Sequence, residues 1–254
     1  MGGKRKAEPV PSRSPSTAMR PFENAFERAF GMKTGDIGKS WEGAKSLFNH
    51  GKAEPAMKEL LERADERLGY ALIGAGCLLL FVLTFAASAE YVHVVNFESR
   101  TVGDIVGEQL PTLDPPILIP IAAYSFILHA VLTFALNLAQ EFAAFHIARL
   151  TGGTGTFRQQ LYLSSVVWLA VSMSWSVTLL GPLYCLAFVA IASLILVTFL
   201  YLMVYMNGRA YAIAHNISLL HGATIAFVLV VPKIAIWMLA SSALATLMGL
   251  PIGA

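Results

Sequence analysis

Charge is scarce in this chain. Of its 254 residues only 13% are Asp, Glu, Lys or Arg, about half the ~25% of an average soluble domain. Cysteine is nearly absent. Cys77 and Cys185 are the only two, and they fall at different depths of the topology derived below, so both read as small buried hydrophobes rather than a disulfide. The net charge is only +2, and no basic stripe interleaved with aromatics appears, which leaves no argument for a nucleic-acid partner. Met1–Met19 carries Lys4, Arg5 and Lys6 but no apolar core after them, so no cleavable signal peptide is read there. Lys6 stands where the myristoylation pattern that starts at Gly2 requires Ser or Thr.

Catalytic motifs are missing too. Thr151-Gly-Gly-Thr-Gly-Thr156 lacks the Gly-Lys-Ser/Thr ending of a phosphate loop and reads as a turn between helices. His93, His129, His146, His215 and His221 form no ligand pattern. His215 and His221 are expected in or near an aqueous loop, solvated or against lipid headgroups. No nucleophile elbow, intramembrane aspartate pair or cysteine-based site is visible. The expectation is a non-enzymatic protein without cofactor or metal.

What the chain does have is apolar length. Five runs occupy approximately residues 70–89, 117–148, 157–180, 183–206 and 223–249. About 20 apolar residues suffice to cross a hydrocarbon core of about 30 Å. The fold class expected is all-α: a polytopic membrane bundle of five transmembrane helices over residues 70–254, behind a polar amino-terminal segment. That segment, residues 1–69, holds 13 of the 18 Lys/Arg and 10 of the 16 Asp/Glu. Lys45, Lys52, Lys58, Arg63 and Arg67 precede the first run, and Arg149, Arg158 and Arg209 fall in the second and fourth connections. The connection 90–116 has Arg100 alone beside five acids. The positive-inside rule then places the amino terminus in the cytosol and the carboxyl terminus on the opposite side.

Residues 1–20, rich in Pro, Ser, Lys and Arg, are expected to be disordered. Residues 21–69 read as three amphipathic helices. Phe22, Phe26 and Phe30 mark the first, and Ile37, Trp41, Ala44 and Phe48 the second. Met57, Leu60, Leu61, Ala64 and Leu68 mark the third, with Pro55 in its first turn, leading straight into the first span. Two placements of the narrow aromatic faces stay open: flat on the membrane surface, or docked on the membrane domain or a partner protein.

The second run is too long for a simple span, about 48 Å as a helix. Pro115, Pro116 and Pro120 predict an irregular lead-in at its outer end. Ala135, Ala139 and Ala143 predict one close-packing face, with Asn137, Gln140, Glu141 and Ala144 on the neighbouring face. Two charged residues, Glu141 and Lys233, lie deep within the runs. Their depths from the inner end are roughly 10 Å and 15 Å, close enough for long side chains to meet. The candidate site is thus an intramembrane polar cluster of Asn137, Gln140, Glu141 and Lys233, either a direct Glu141–Lys233 pair or one made through Asn137 or Gln140. Pro232 is expected to bend the fifth span beside it. Arg149, Arg158 and Arg209 are candidate contacts to a cytosolic partner or anionic lipid.

The stretch from Phe142 to Leu239 resembles the Yip domain, the family of small membrane proteins that includes Rab-interacting factors. The likeness lies in Ala148-Arg-Leu-Thr-Gly-Gly-Thr-Gly-Thr-Phe-Arg-Gln-Gln-Leu-Tyr162, in the short Gly181-Pro182 break, and in His215-Asn-Ile-Ser-Leu-Leu-His-Gly-Ala-Thr-Ile-Ala226. Where the family usually has a proline early in span three, this chain has Val166-Val-Trp-Leu. The resemblance implies five spans, a cytosolic amino terminus and a scaffold or adaptor role in membrane organisation or trafficking. It assigns no partner-binding residue. Membrane lipid and a protein at the cytosolic face are the expected partners, in a homo- or hetero-oligomer. Two other readings stand beside it: a small transporter or channel subunit using Glu141 and Lys233, and an accessory subunit of a larger membrane complex.

Overall fold

The computed structural model describes residues 34–106, 118–174 and 196–248. Among these every regular element is a helix and none is a strand. The chain divides into two units, residues 1–39 and 40–254, and the helical bundle belongs to the second. The predicted helix at Phe22–Phe30 and the predicted disordered tail lie outside the described residues.

Seven helices are described: α1 Thr34–Ser46, α2 His50–Leu61, α3 Glu66–Val106, α4 Leu118–Leu150, α5 Phe157–Ser174, α6 over residues 196–215, and α7 Leu219–Leu247. Among the described residues three stretches are long and apolar enough to cross a membrane: Glu66–Ala89 in α3, α4 and α7, of 24, 33 and 29 residues. They expose large apolar side chains such as Leu78, Val82, Val131, Phe142, Phe227, Val231 and Leu239. Water would not tolerate so much clustered apolar surface, whereas lipid does. The predicted runs 157–180 and 183–206 each extend into residues 175–195, outside the described ones.

At the centre stands α5. Every residue from 160 to 172 is buried. It packs against α3, α6 and α4. Ser164, Ser165 and Ser172 donate to Leu161 O, Tyr162 O and Trp168 O of their own helix, so they serve as small side chains whose hydroxyls are locally satisfied.

The helix ends follow local chemistry. Asp65 Oδ1 accepts from Leu68 N at 3.0 Å and starts α3. Thr156 and Gln159 form a reciprocal capping box at the start of α5: Gln159 N donates to Thr156 Oγ1 and Thr156 N to Gln159 Oε1. Ser218 Oγ accepts from His221 N at the head of α7. Asn216, at φ 55°, closes α6 in the left-handed conformation, with Ile217 N donating back to Ala212 O.

Several expectations are corrected. The third amphipathic helix does not run into the first span, because the chain turns over Glu62–Asp65 before α3 begins. Pro55 lies inside α2 rather than in its first turn. It is tolerated there because the residue four before it, whose carbonyl loses its donor, is the exposed Gly51. The connection 90–116 is not all loop, since α3 continues to Val106. Its sequence explains this: no Gly or Pro occurs between Gly76 and Gly103. Pro115 and Pro116, at which the irregular lead-in is expected, lie outside the described residues; within the described part of α4 the irregularity is at Phe126–Leu132, which is π-helical. Pro120 sits in the first turn, where its missing N–H costs nothing. The alanine face is also not the packing face. Ala135 and Ala139 are exposed, whereas Thr133, Asn137, Gln140, Glu141, Ala144 and Ala148 are buried.

The second and third amphipathic helices each turn small or aliphatic side chains inward. Ala44, Leu47, Ala53, Met57 and Leu60 are all buried, and α2 packs on α5 and α6. Ser40 Oγ meets Tyr162 OH at 3.0 Å, and Tyr201 OH donates to Leu47 O at 3.3 Å. The aromatic stripe is not what docks: Trp41 and Phe48 are 38% and 49% exposed.

Candidate functional site

The polar cluster is built where α4, α5, α6 and α7 meet. Residues spaced by four put the needed groups on one stripe of each helix: Thr133, Asn137 and Glu141 on α4, Tyr211 and His215 on α6, Lys233 and Trp237 on α7. Gln160 comes from the first turn of α5.

Lys233 Nζ donates to Asn137 Oδ1 at 2.7 Å and to Gln140 Oε1 at 2.9 Å. The ammonium also lies 4.8 Å from the centre of the Trp168 ring. Two amide oxygens and an aromatic face thus enclose it, and each interaction favours the charged form. Gln140 passes the chain on: its Nε2 donates to Tyr211 OH at 3.1 Å, and Tyr211 OH donates to Glu141 Oε1 at 3.0 Å. From the other side Gln160 Nε2 donates to Glu141 Oε2 and to the Glu141 backbone carbonyl, both at 2.8 Å. Both carboxylate oxygens therefore accept, the pattern of an ionised carboxyl.

Glu141 and Lys233 are joined through Gln140 and Tyr211, not by a direct ion pair. All donors in the chain point one way, from the cation toward the carboxylate. Charge at each end polarises the neutral groups between them. Burying either charge alone is costly in hydrocarbon. Here each is held by hydrogen bonds that the other end reinforces.

The chain continues to His215. Its Nε2 lies 2.7 Å from Gln160 Oε1. Both hydrogens of Gln160 Nε2 are directed at Glu141, so Oε1 is the acceptor and His215 Nε2 carries the hydrogen. His215 is fully buried, which corrects its expected solvated position, whereas His221 is exposed as a loop-side residue. Burial, with Arg149 nearby, holds the His215 imidazole below its ordinary value. The reason for the burial is the glycine turn. Thr154 N donates to His215 O at 3.0 Å, and a Cβ on Gly155 would stand 1.8 Å from Ala214 O. Only glycine lets the 151–156 turn lie directly on the end of α6.

Around this line sit Thr133, whose hydroxyl donates to Leu128 O and accepts from Trp237 Nε1, and His129, buried beside Trp237 with ring centres 5.9 Å apart. Thr133 Oγ1 closes on a carbonyl five residues back, in register with the π-helical turn, and that turn buries Leu128 and His129 side by side.

Arg149 and Arg158 are exposed. Arg209 is largely covered: Nη2 donates to Tyr205 OH at 2.8 Å, and Nη1 lies 3.8 Å from Glu54 Oε2 of α2. Sequence reasoning found Asn137, Gln140, Glu141 and Lys233 but missed Tyr211, Gln160 and His215. The signal for two of these was their i,i+4 spacing on α6; Gln160 stood out only as an amide just inside a helix that turns apolar after it. Among the described residues no three His, Cys, Asp or Glu side chains gather as metal ligands.

No family model, curated protein or solved structure matches this chain.

Proposed function

We propose that this chain is a five-span integral membrane protein of Yip-like type. Its amino terminus is cytosolic and its carboxyl terminus lies on the opposite side. It works without catalysis, as a scaffold or adaptor in membrane organisation or trafficking. The observation that carries this reading is the seating of α1 and α2. Their inner face, Ala44, Leu47, Ala53, Met57 and Leu60, is committed to the bundle, while Trp41 and Phe48 remain outward beside Lys45, whose ammonium lies 5.8 Å from the Trp41 ring. A rigid platform with an aromatic and cationic outer face suits recognition of another protein at the membrane surface. The buried chain from Lys233 to His215 fits the same reading, because its hydrogen bonds tie four helices into one register.

The test is photo-crosslinking from Trp41 and Phe48 positions of the full chain in its native membrane. A discrete protein adduct, lost on Trp41→Glu with insertion intact, is the expected result. A second reading, a small transporter or channel subunit, draws on the same buried charges. Glu141→Gln in proteoliposomes separates the two: the scaffold reading expects lower stability and no change in ion or solute flux, and a flux that depends on Glu141 overturns it.

A further inference from the structure

Away from the buried chain, a cleft of about 390 Å³ opens between α2 and the end of α6. That volume lies within the range of small-ligand sites, roughly 300–1,000 Å³. One wall is ionic. Lys58 Nζ pairs with Glu54 Oε1 at 2.8 Å, and Arg209 Nη1 stands 3.8 Å from Glu54 Oε2, beyond hydrogen-bond distance. The other wall is apolar, formed by Ile213, Ile217 and Leu219. Leu219 is the first residue of α7, so the cleft opens at the level where that apolar helix begins.

The charges set what fits. Two cations and one carboxylate leave the cleft with a net charge of +1. Arg209 is held in place by Tyr205, through a hydrogen bond and a ring contact at 5.1 Å, and keeps guanidinium donors that Glu54 does not take up. A planar fork of donors suits phosphate oxygens. A single positive charge balances a phosphodiester, which carries one negative charge, better than a phosphate monoester, which carries about −1.5 to −2 at neutral pH. The adjoining apolar wall has no role for a free ion, but it suits the glycerol and first acyl carbons of a lipid.

The geometry points to the cleft as a binding site for the phosphodiester headgroup of an anionic phospholipid, held by Arg209 and Lys58 with its apolar end on Ile213 and Ile217. This rests on the membrane orientation proposed above and deepens it. The purified full chain in mild detergent is titrated with phosphatidylglycerol, phosphatidylcholine, inorganic phosphate and glycerophosphoglycerol, and bound lipid is read by native mass spectrometry. Phosphatidylglycerol is expected to be retained in preference to phosphatidylcholine and not displaced by either soluble phosphate. In the Arg209→Gln/Lys58→Gln variant its affinity should fall about tenfold or more, the consequence of losing charge-assisted hydrogen bonds. Ile213→Trp fills the cleft without touching its charges and should have the same effect, which keeps the test decisive if the double variant does not fold. Lys52→Gln, an exposed lysine of α2 outside the cleft, should leave binding unchanged. Equal binding by the Ile213→Trp variant, an equal loss with Lys52→Gln, or displacement by the soluble phosphates would overturn the assignment. The cross-linking from Trp41 and Phe48 does not depend on this outcome, so a failed lipid site and a failed scaffold reading are told apart.

Discussion

Tyr211 is the hinge of the buried chain, because its hydroxyl accepts from Gln140 and donates to Glu141. Tyr211→Phe keeps the ring and removes both bonds. The expected loss is about 1.5–3 kcal/mol, the range for hydrogen bonds to charged groups, measured by unfolding in detergent or bicelles. Gln160→Leu should act on the same carboxylate from the other side. The two changes should be non-additive, since they share Glu141. His215 offers a pH readout. Its folded-state value is lowered, so the unfolded chain takes up this proton at higher pH than the folded one does. Stability is then complete above the ordinary histidine value of about 6.5 and declines as pH falls below it. His215→Gln retains a donor for Gln160 and should flatten that acid slope in thermal unfolding between pH 8 and pH 5. These residues also show what the sequence disclosed. Asn137, Gln140, Glu141 and Lys233 were legible because polar groups in apolar runs are conspicuous. His215 was not, because its burial depends on a turn more than fifty residues away in the chain lying against it.

At the scale of elements, close approach governs the bundle. A Cβ on Gly222 would fall 2.1 Å from Gly208 O, and one on Gly208 would fall 2.5 Å from Ala223 Cα. The backbones of α6 and α7 therefore touch, as small residues permit in membrane bundles. The cluster of Ala144, Ala148, Tyr211, Ile225 and Ala226 closes beside that crossing. Gly222→Val should force the helices apart, costing about 1–3 kcal/mol or more as overpacking does, and should weaken the Lys233 contacts that depend on the placement of α7. The Gly155→Ala change should act similarly on the 151–156 turn. Thermal unfolding of both variants, with Thr224→Ala on the exposed face of α7 as a control, checks the pair. Helix existence followed from apolar length and capping residues. The extension of α3 to Val106 and the break after α2 did not, because length alone does not say where a helix passes from apolar to polar surroundings. The choice of packing face on α4 was likewise hidden: small alanines and polar groups both mark helix contacts, and here the buried network lies on the polar face.

The described residues of the second unit, 40–254, form a helical bundle whose central element, α5, is enclosed while α3, α4 and α7 turn apolar side chains outward. Such an arrangement places the most apolar helices at the periphery and the more polar one inside, the order expected when lipid rather than water surrounds the fold. The central claim is a chain that crosses the bilayer an odd number of times, carrying α1 and α2 on the cytosolic side. Topology reporters fused to each end, one active only in the cytosol and one only beyond the membrane, test it most directly. The account predicts cytosolic signal at the amino terminus, external signal at the carboxyl terminus, and retention of the chain in alkaline-washed membranes. Both ends reporting from one compartment, or release of the chain without detergent, would contradict it.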